Sequence, residues 1–285
     1  MTDLRWWPAP AKLNLFLHIT GRRPDGYHLL QTVFQFVSFG DRLAFESRPD
    51  GVIHRASDIP GVPGDRDLVL RAARLLQTTA GIREGADIYI EKRIPLGGGL
   101  GGGSSDAATT LLVLNHLWGC GLTVRQLARL GLRLGADVPV FVEGRAAWAE
   151  GVGEQLQPIT LPEPWYVVIV PDCQVETAEI FKDPRLTRNC HPITIEGFLS
   201  GQGGNVCEAV ATQHCPSIRD ALDWLGGYAP ARMSGTGASV FAAFEDNGPA
   251  QRVCHEAAQK WQVFVGRGMN LSPLHKQLGQ VTEAW

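Results

Sequence analysis

At 285 residues, with 44% hydrophobic and 19% charged side chains, the chain can bury a sizeable core, which excludes global disorder and fits two modest domains. Its 26 Lys+Arg against 29 Asp+Glu leave a net charge of -3 with no basic run, so no nucleic-acid partner is expected. No apolar run nears the roughly 18 residues that span a bilayer, and residues 1–12 hold no signal-peptide core, so a cytoplasmic protein with no membrane partner is expected.

Residues 12–19 alternate with a period of two, which predicts a strand with Lys12 and Asn14 on one face and Leu13, Leu15, Leu17 and Ile19 on the other. Residues 21–26 have turn composition, and 31–37 and 42–46 read as two further strands. Apolar positions at Leu68, Val69, Ala72, Ala73, Leu75 and Leu76 predict a helix over 66–79, stopped by Gly81. A strand over 87–94 leads into a glycine loop and a helix over 104–118. Thr123 caps a helix through Leu127, Leu130 and Leu134, closed by Gly135. The proline-rich stretch 158–164 marks a joint, dividing the chain into 1–158 and 159–285.

Beyond the joint, the pattern predicts a strand over 165–170, a helix within 206–225, strands at Met233 and 238–244, a helix over 249–260 and a strand over 263–267. That order fits a ferredoxin-like split unit, hence an α+β chain. Cys120, Cys173, Cys190, Cys207, Cys215 and Cys254 include no C-x-x-C pair, and a chain this long does not need a disulfide framework. They read as reduced thiols, and no zinc-like spacing with histidine exists.

The most informative segment is Pro95-Leu96-Gly97-Gly98-Gly99-Leu100-Gly101-Gly102-Gly103-Ser104-Ser105-Asp106. Six glycines in seven positions suit neither helix nor strand. Such a run is explained by close approach of backbone to a ligand, its amides lining a concavity for anionic oxygens at the start of a helix. No lysine follows as a Walker A motif requires, and no acid lies about twenty positions on as a dinucleotide fold requires. Neither H-R-D nor D-F-G occurs, which excludes a protein-kinase loop.

This loop resembles the second motif of the GHMP kinases, the superfamily of galactokinase, homoserine kinase and mevalonate kinase. Pro10-Ala11-Lys12-Leu13-Asn14-Leu15 resembles the first motif, and Ser234-Gly235-Thr236-Gly237-Ala238-Ser239 the third. Pro24-Asp25-Gly26-Tyr27-His28, Gly135-Ala136-Asp137-Val138-Pro139 and Phe181-Lys182-Asp183-Pro184 are similar to the diphosphocytidyl-methylerythritol kinases within it. The resemblance implies a two-domain α+β fold, with a ribosomal S5-like N-terminal domain and a ferredoxin-like C-terminal one. It implies transfer of the terminal phosphoryl group of ATP to a hydroxyl of a small cytidine diphosphate-linked methylerythritol, by a monomer or weak homodimer.

The resemblance also implies residue roles. Asp137 is the expected base and Lys12 its neighbour, although Asp137 read alone favours the cap of a short helix, and both roles can coexist. Residues 95–105 are expected to wrap the ATP phosphates, with Lys92 and the surroundings of Asp67 on the adenine side. Asn14, Gly235 and Gly237 are expected to meet the acceptor, Tyr27 and Phe181 to sandwich the cytosine, and His28 to bond its edge. Mg²⁺ is expected with the phosphates, with no protein ligand assigned. Asp67 and Asp106 depart from the pattern, standing where related sequences carry asparagine.

Overall fold

A computed structural model describes residues 4–64 and 66–282. β1 (Trp6–Arg22) and β2 (His28–Arg48) pair antiparallel along nearly their whole lengths. The two strands expected over 31–46 are thus one continuous element. Gly40 permits this: a Cβ there would lie 2.4 Å from the Ala9 carbonyl oxygen, so only glycine lets the strands stay together where the register slips past Pro10. A second slip between Asn14 and Leu17 ends the simple alternation and turns Phe16 inward.

β3 (Ile53–Arg55) runs parallel to β4 (Gly85–Glu91), with α1 (Leu68–Ala80) between them. Asp67 caps α1 by accepting from the Val69 amide, and Gly81 closes it in the left-handed conformation. α2 (Gly102–Leu117) follows the glycine loop, α3 (Val124–Leu132) starts at a Thr123/Gln126 capping box, and α4 (Val138–Glu143) follows Asp137. The hairpin β5 (Ala147–Glu150) and β6 (Gln155–Pro158) adds to β2. The four helices bury Leu76, Leu111, Leu114, Leu127 and Phe141 against Phe36, Leu43 and Ile88 of the sheet.

β7 (Trp165–Val170) opens the second half. Four helices follow: α5 (Thr177–Lys182), α6 (Ile195–Leu199), α7 (Glu208–His214) and α8 (Pro216–Gly226). The sequence pattern places a helix within 206–225, and the chain forms two there: Cys215 is extended and Pro216 starts afresh, since proline lacks the amide to continue α7. β8 (Ala231–Met233), β9 (Val240–Phe244), α9 (Asn247–Ala257) and β10 (Gln262–Met269) complete the split unit, and α10 (Pro273–Thr282) ends the described chain. The strand order β10-β7-β9-β8 is the ferredoxin-like order.

Three further features tie the halves together. β10 reaches β2 through Gly268–Val37 and Met269–Phe36 pairs, making one ten-stranded sheet. A bridging core gathers Ala11 and Leu13 of β1, Val168 of β7, Phe241 of β9 and Leu100 of the glycine loop, whose side chain is 1% exposed. α10 then returns to the first half, where the Gln277 side chain donates to the Trp6 carbonyl. Among the described residues no helix is long and apolar enough to cross a membrane.

The thiol expectation requires one correction: Cys173 and Cys215 form a disulfide. They lie 42 positions apart, beyond β7 and at the α7–α8 break, and the fold brings their Cα atoms to 6.5 Å. No spacing rule could have paired them. Cys120, Cys190, Cys207 and Cys254 are free.

Candidate active site

Three distant segments interlock at the junction of the halves. The main-chain amide of Lys12 donates to the Leu100 carbonyl at 3.0 Å, and the Ser239 amide donates to the Gly98 carbonyl at 3.1 Å. The Gly99 carbonyl accepts from Lys12 Nζ and from Ser234 Oγ, each at 3.2 Å. Ser234 Oγ also accepts from the Asn14 amide at 3.1 Å. The first and third segments therefore take up the carbonyl side of the glycine loop. Gly97, Gly99 and Gly101 all have φ of +73°, alternating with residues outside that region. Alternation of this kind lines up successive amides. Among the described residues the amides of Gly97 to Gly101 donate to no other protein group. The loop thus offers an amide face ahead of the N-terminus of α2.

Beside the loop lies a cleft of about 1060 Å³. Lys12, Asp137, Asn14, Tyr27, His28, Phe181, Gly235 and Gly237 all line it, together with Gly97, Gly99, Gly101 and Ser104. Lys12 Nζ stands 3.3 Å from Asp137 Oδ2. The Lys12 side chain is only 4% exposed and its ammonium is anchored by Asn14 Oδ1 at 2.5 Å. Asn14 is in turn held by Thr32, whose hydroxyl accepts from Nδ2 at 2.9 Å. Asp137 precedes α4 but makes no side-chain cap bond, so among the described residues its carboxylate pairs with the lysine alone. At the far end, the His28 ring stacks on Phe181 at 4.9 Å between centroids, while Tyr27 projects with 65% of its surface exposed.

The family model "GHMP kinases N terminal domain" matches residues 67–145, and "GHMP kinases C terminal" matches 194–263. The chain belongs to the GHMP kinases. A relative from Nitrosococcus oceani named 4-diphosphocytidyl-2-C-methyl-D-erythritol kinase is 59% identical over 268 residues, covering 94% of this chain and 96% of the relative. A solved 4-(cytidine 5'-diphospho)-2C-methyl-D-erythritol kinase superposes with a TM-score of 0.81 at 34% identity, over 93% of this chain and 99% of that one. The Methanococcus jannaschii mevalonate kinase shares the fold at a TM-score of 0.66 and 15% identity, over 94% of this chain and 99% of that one. GHMP kinases are ATP-dependent, so ATP is the nucleotide of this family.

Other residues of the GHMP kinase motifs lie away from the cleft. Leu100 is core, as described, and Leu96 is 45% exposed and lines a separate depression that Trp261 and Gln262 also line. Gly102 abuts Ile94 and the Lys92 ammonium. Lys92 itself is half-buried between two carboxylates, 2.5 Å from Asp41 and 2.8 Å from Asp106. Asp67 uses both oxygens internally, one on the Val69 amide and one on Arg55. Sequence reasoning missed Asp41, which accepts from the Arg93 and Ile94 amides at 2.5 and 2.7 Å and so fixes the chain entering the loop. No motif signals it, because its role depends on the pairing of β2 with β4. Thr32 and Arg188, whose guanidinium reaches His28, were also missed.

The Asp41–Lys92–Asp106 cluster has two acids for one base. Burial pushes the Asp106 carboxyl up to about 8, with Lys92 opposing and Asp41 adding to the shift. Lys92 is raised: burial lowers it, but Asp106 and Asp41 together outweigh that. Between the ordinary value of 3.8 and about 8 the folded chain therefore holds a proton on Asp106 that the unfolded chain has released. Stability from this group is full below the lower value and is lost as pH rises through the upper one. From pH 6 to 8 the wild type is expected to lose about 2 kcal/mol more than Asp106→Asn. Urea unfolding of both proteins at the two pH values checks this; equal losses would refute it.

Proposed function

We propose that this chain is a cytoplasmic, ATP-dependent kinase that phosphorylates the 2-hydroxyl of 4-diphosphocytidyl-2-C-methyl-D-erythritol, a small-molecule substrate. The observation that carries this reading is the Lys12–Asp137 pair at 3.3 Å, set in one cleft between the glycine loop and the Tyr27, His28 and Phe181 rings. We assign ATP binding to the first half, residues 1–158, and much of the acceptor wall to residues 159–285.

The triphosphate lies along the amide face of residues 97–101 and the N-terminus of α2. Glycine is required at position 101 because a Cβ there would sit 2.8 Å from the Phe141 ring and 3.1 Å from the Lys12 side chain, pushing the loop off both. The acceptor hydroxyl sits beside the Lys12–Asp137 pair, within hydrogen-bond reach of both. Asp137 takes its proton as the new O–P bond forms and the bond from phosphorus to ADP breaks. Lys12, fixed by Asn14 and the Gly99 carbonyl, bears on the acceptor and the charge gathering on phosphorus. Tyr27 and Phe181 hold the cytosine by stacking, and His28 meets its edge. Phe181 and Lys182 come from α5, and Gly235 and Gly237 from the turn after β8, so the second half closes the cleft opposite Lys12.

Mg²⁺ fits the start of α2. Ser105 Oγ and Asp106 Oδ1 are buried oxygens without a partner, oxygen is the donor Mg²⁺ takes, and a bound cation would displace the proton that Asp106 otherwise holds. Among the described residues no cluster of three His, Cys, Asp or Glu could hold a metal alone, so phosphate oxygens and water would complete its shell. A bound Mg²⁺ neutralises phosphate charge.

ADP release measured with a panel of acceptors tests the reading. Turnover is expected with the cytidyl substrate and at least 100-fold less with homoserine or mevalonate, about 3 kcal/mol of transition-state discrimination. Turnover of either alternative in preference to the cytidyl compound would overturn the assignment. Phosphorus NMR of the product identifies the new phosphate ester.

A further inference from the structure

Arg188 has an unusual set of partners. Its side chain donates to the Leu186 carbonyl at 3.0 Å and to the Phe181 and Asp183 carbonyls, each at 2.8 Å. The fourth partner is His28 Nε2, 3.2 Å from Arg188 Nε. The nearby Asp183 carboxylate turns instead to Arg185 and His214. One guanidinium therefore holds both the backbone carrying Phe181 and the imidazole stacked on its ring.

A guanidinium has five N–H donors and no acceptor. The nitrogen facing it must carry a lone pair, so His28 Nε2 is unprotonated and the neutral ring keeps its proton on Nδ1. A second proton would set an N–H against an N–H beside a fixed positive charge. His28 is accordingly lowered from its ordinary value, first by burial and then by Arg188 and Arg22.

We propose that Arg188 is a positioning residue for base selection: by donating to Nε2 it fixes His28 as the neutral Nδ1–H tautomer, so that the ring presents a donor to the bound base. The inference rests on the reading that a cytosine is recognised at His28. Cytosine offers acceptors at O2 and N3. Uracil carries a hydrogen at N3, which a fixed donor opposes. A ring free to exchange tautomers accommodates either base, so the specificity resides in the arginine that freezes it. Mispairing of this kind leaves a buried donor unsatisfied and discriminates strongly.

Long-range ¹H–¹⁵N NMR on the full chain labelled at histidine tests the tautomer directly. In the wild type, His28 is expected as Nδ1–H, titrating below 6.5. In Arg188→Met the proton moves largely to Nε2 and the midpoint rises. Arg188→Lys, which keeps a cationic donor but loses most of the carbonyl bonds, restores the Nδ1–H form; a purely structural arginine would leave both variants alike. Equilibrium binding of CDP and UDP supplies the second readout. The CDP-to-UDP affinity ratio is expected to fall about tenfold or more in Arg188→Met and to recover partly in Arg188→Lys. A wild-type ring protonated on Nε2, or an unchanged tautomer and ratio in Arg188→Met, overturns the proposal. The wild-type spectrum needs no variant to fold. If neither CDP nor UDP binds while the tautomer responds as stated, the cytosine reading fails and the control of His28 by Arg188 stands.

Discussion

Asp137→Asn is expected to lower kcat by about 10²–10⁴-fold, the usual worth of a positioned general base, with ATP affinity near the wild-type value. Asparagine keeps the size of the side chain and removes the site that takes the proton. The nucleotide face of the glycine loop is built without it: its carbonyls are held by Lys12, Ser234 and Ser239, and Asp137 contributes to none of those bonds. Stability should barely move, because the side chain makes no helix-cap bond and is 36% exposed. A partly exposed ion pair contributes about 1 kcal/mol or less. Steady-state kinetics, nucleotide titration and thermal unfolding separate the possibilities. Full turnover in the variant would remove Asp137 as the base, and a large drop in melting temperature with intact turnover would make it a structural cap.

The glycine loop was legible in the sequence because its chemistry is local, whereas Asp137 read alone favours a helix cap and was singled out as a base only by the family resemblance. A run of glycines before a patterned helix has few structural uses. The first and third motifs were legible as segments, but their function at the junction was not. That Ser234 bonds both Gly99 and the Asn14 amide depends on a meeting of residues 220 positions apart. Periodicity found β7 with its bounds unchanged and placed β10 and α9 to within a few residues, since each lies in the interior of a regular layer. It fell short at β2, where it gave two strands and Gly40 lets one run on past a close strand crossing, and within 206–225, where it placed a helix and the chain forms α7 and α8. The Asp41 contacts, the disulfide and the Arg188–His28 bond were invisible for a common reason. Each joins polar groups brought together only by tertiary packing, and a single sequence has no periodic trace of that.

The placement of Lys92 shows a similar limit. A lysine just before a phosphate loop reads as a ligand contact, yet its ammonium is held by Asp41 and Asp106 beneath the loop. In this chain an aspartate at 106 gives that lysine a second carboxylate, which an asparagine would not. The same departure leaves Asp106 Oδ1 without a protein partner at the start of α2. The local variation from the family pattern therefore has a structural consequence, and the pH dependence of stability reads it out.

Gly99→Ala is expected to be the most damaging single-methyl change in the loop. A Cβ at Gly99 would stand 2.6 Å from the Ser234 carbonyl oxygen and 2.8 Å from that of Gly237. Both are backbone atoms of the turn between β8 and β9, so no side chain can swing away. The residue also sits at φ +73°, which disfavours any L side chain by about 1 kcal/mol. Relief requires moving the glycine loop off the second half, which breaks the bonds from Lys12 and Ser234 to the Gly99 carbonyl. Overpacking of this kind typically costs about 1–3 kcal/mol, and because the loop carries the amide face, kcat/KM should fall at least about 100-fold, as for other small displacements of reacting groups. Gly97→Ala is the control: it has the same φ, but nothing lies within 4 Å of its Cβ. It should pay only the conformational cost and lose less stability. Melting temperature and ATP titration of the two variants decide the matter. Equal effects would show that backbone conformation alone governs the loop; a much larger loss at Gly99 would show that contact between the two halves sets the position of the transferred phosphate.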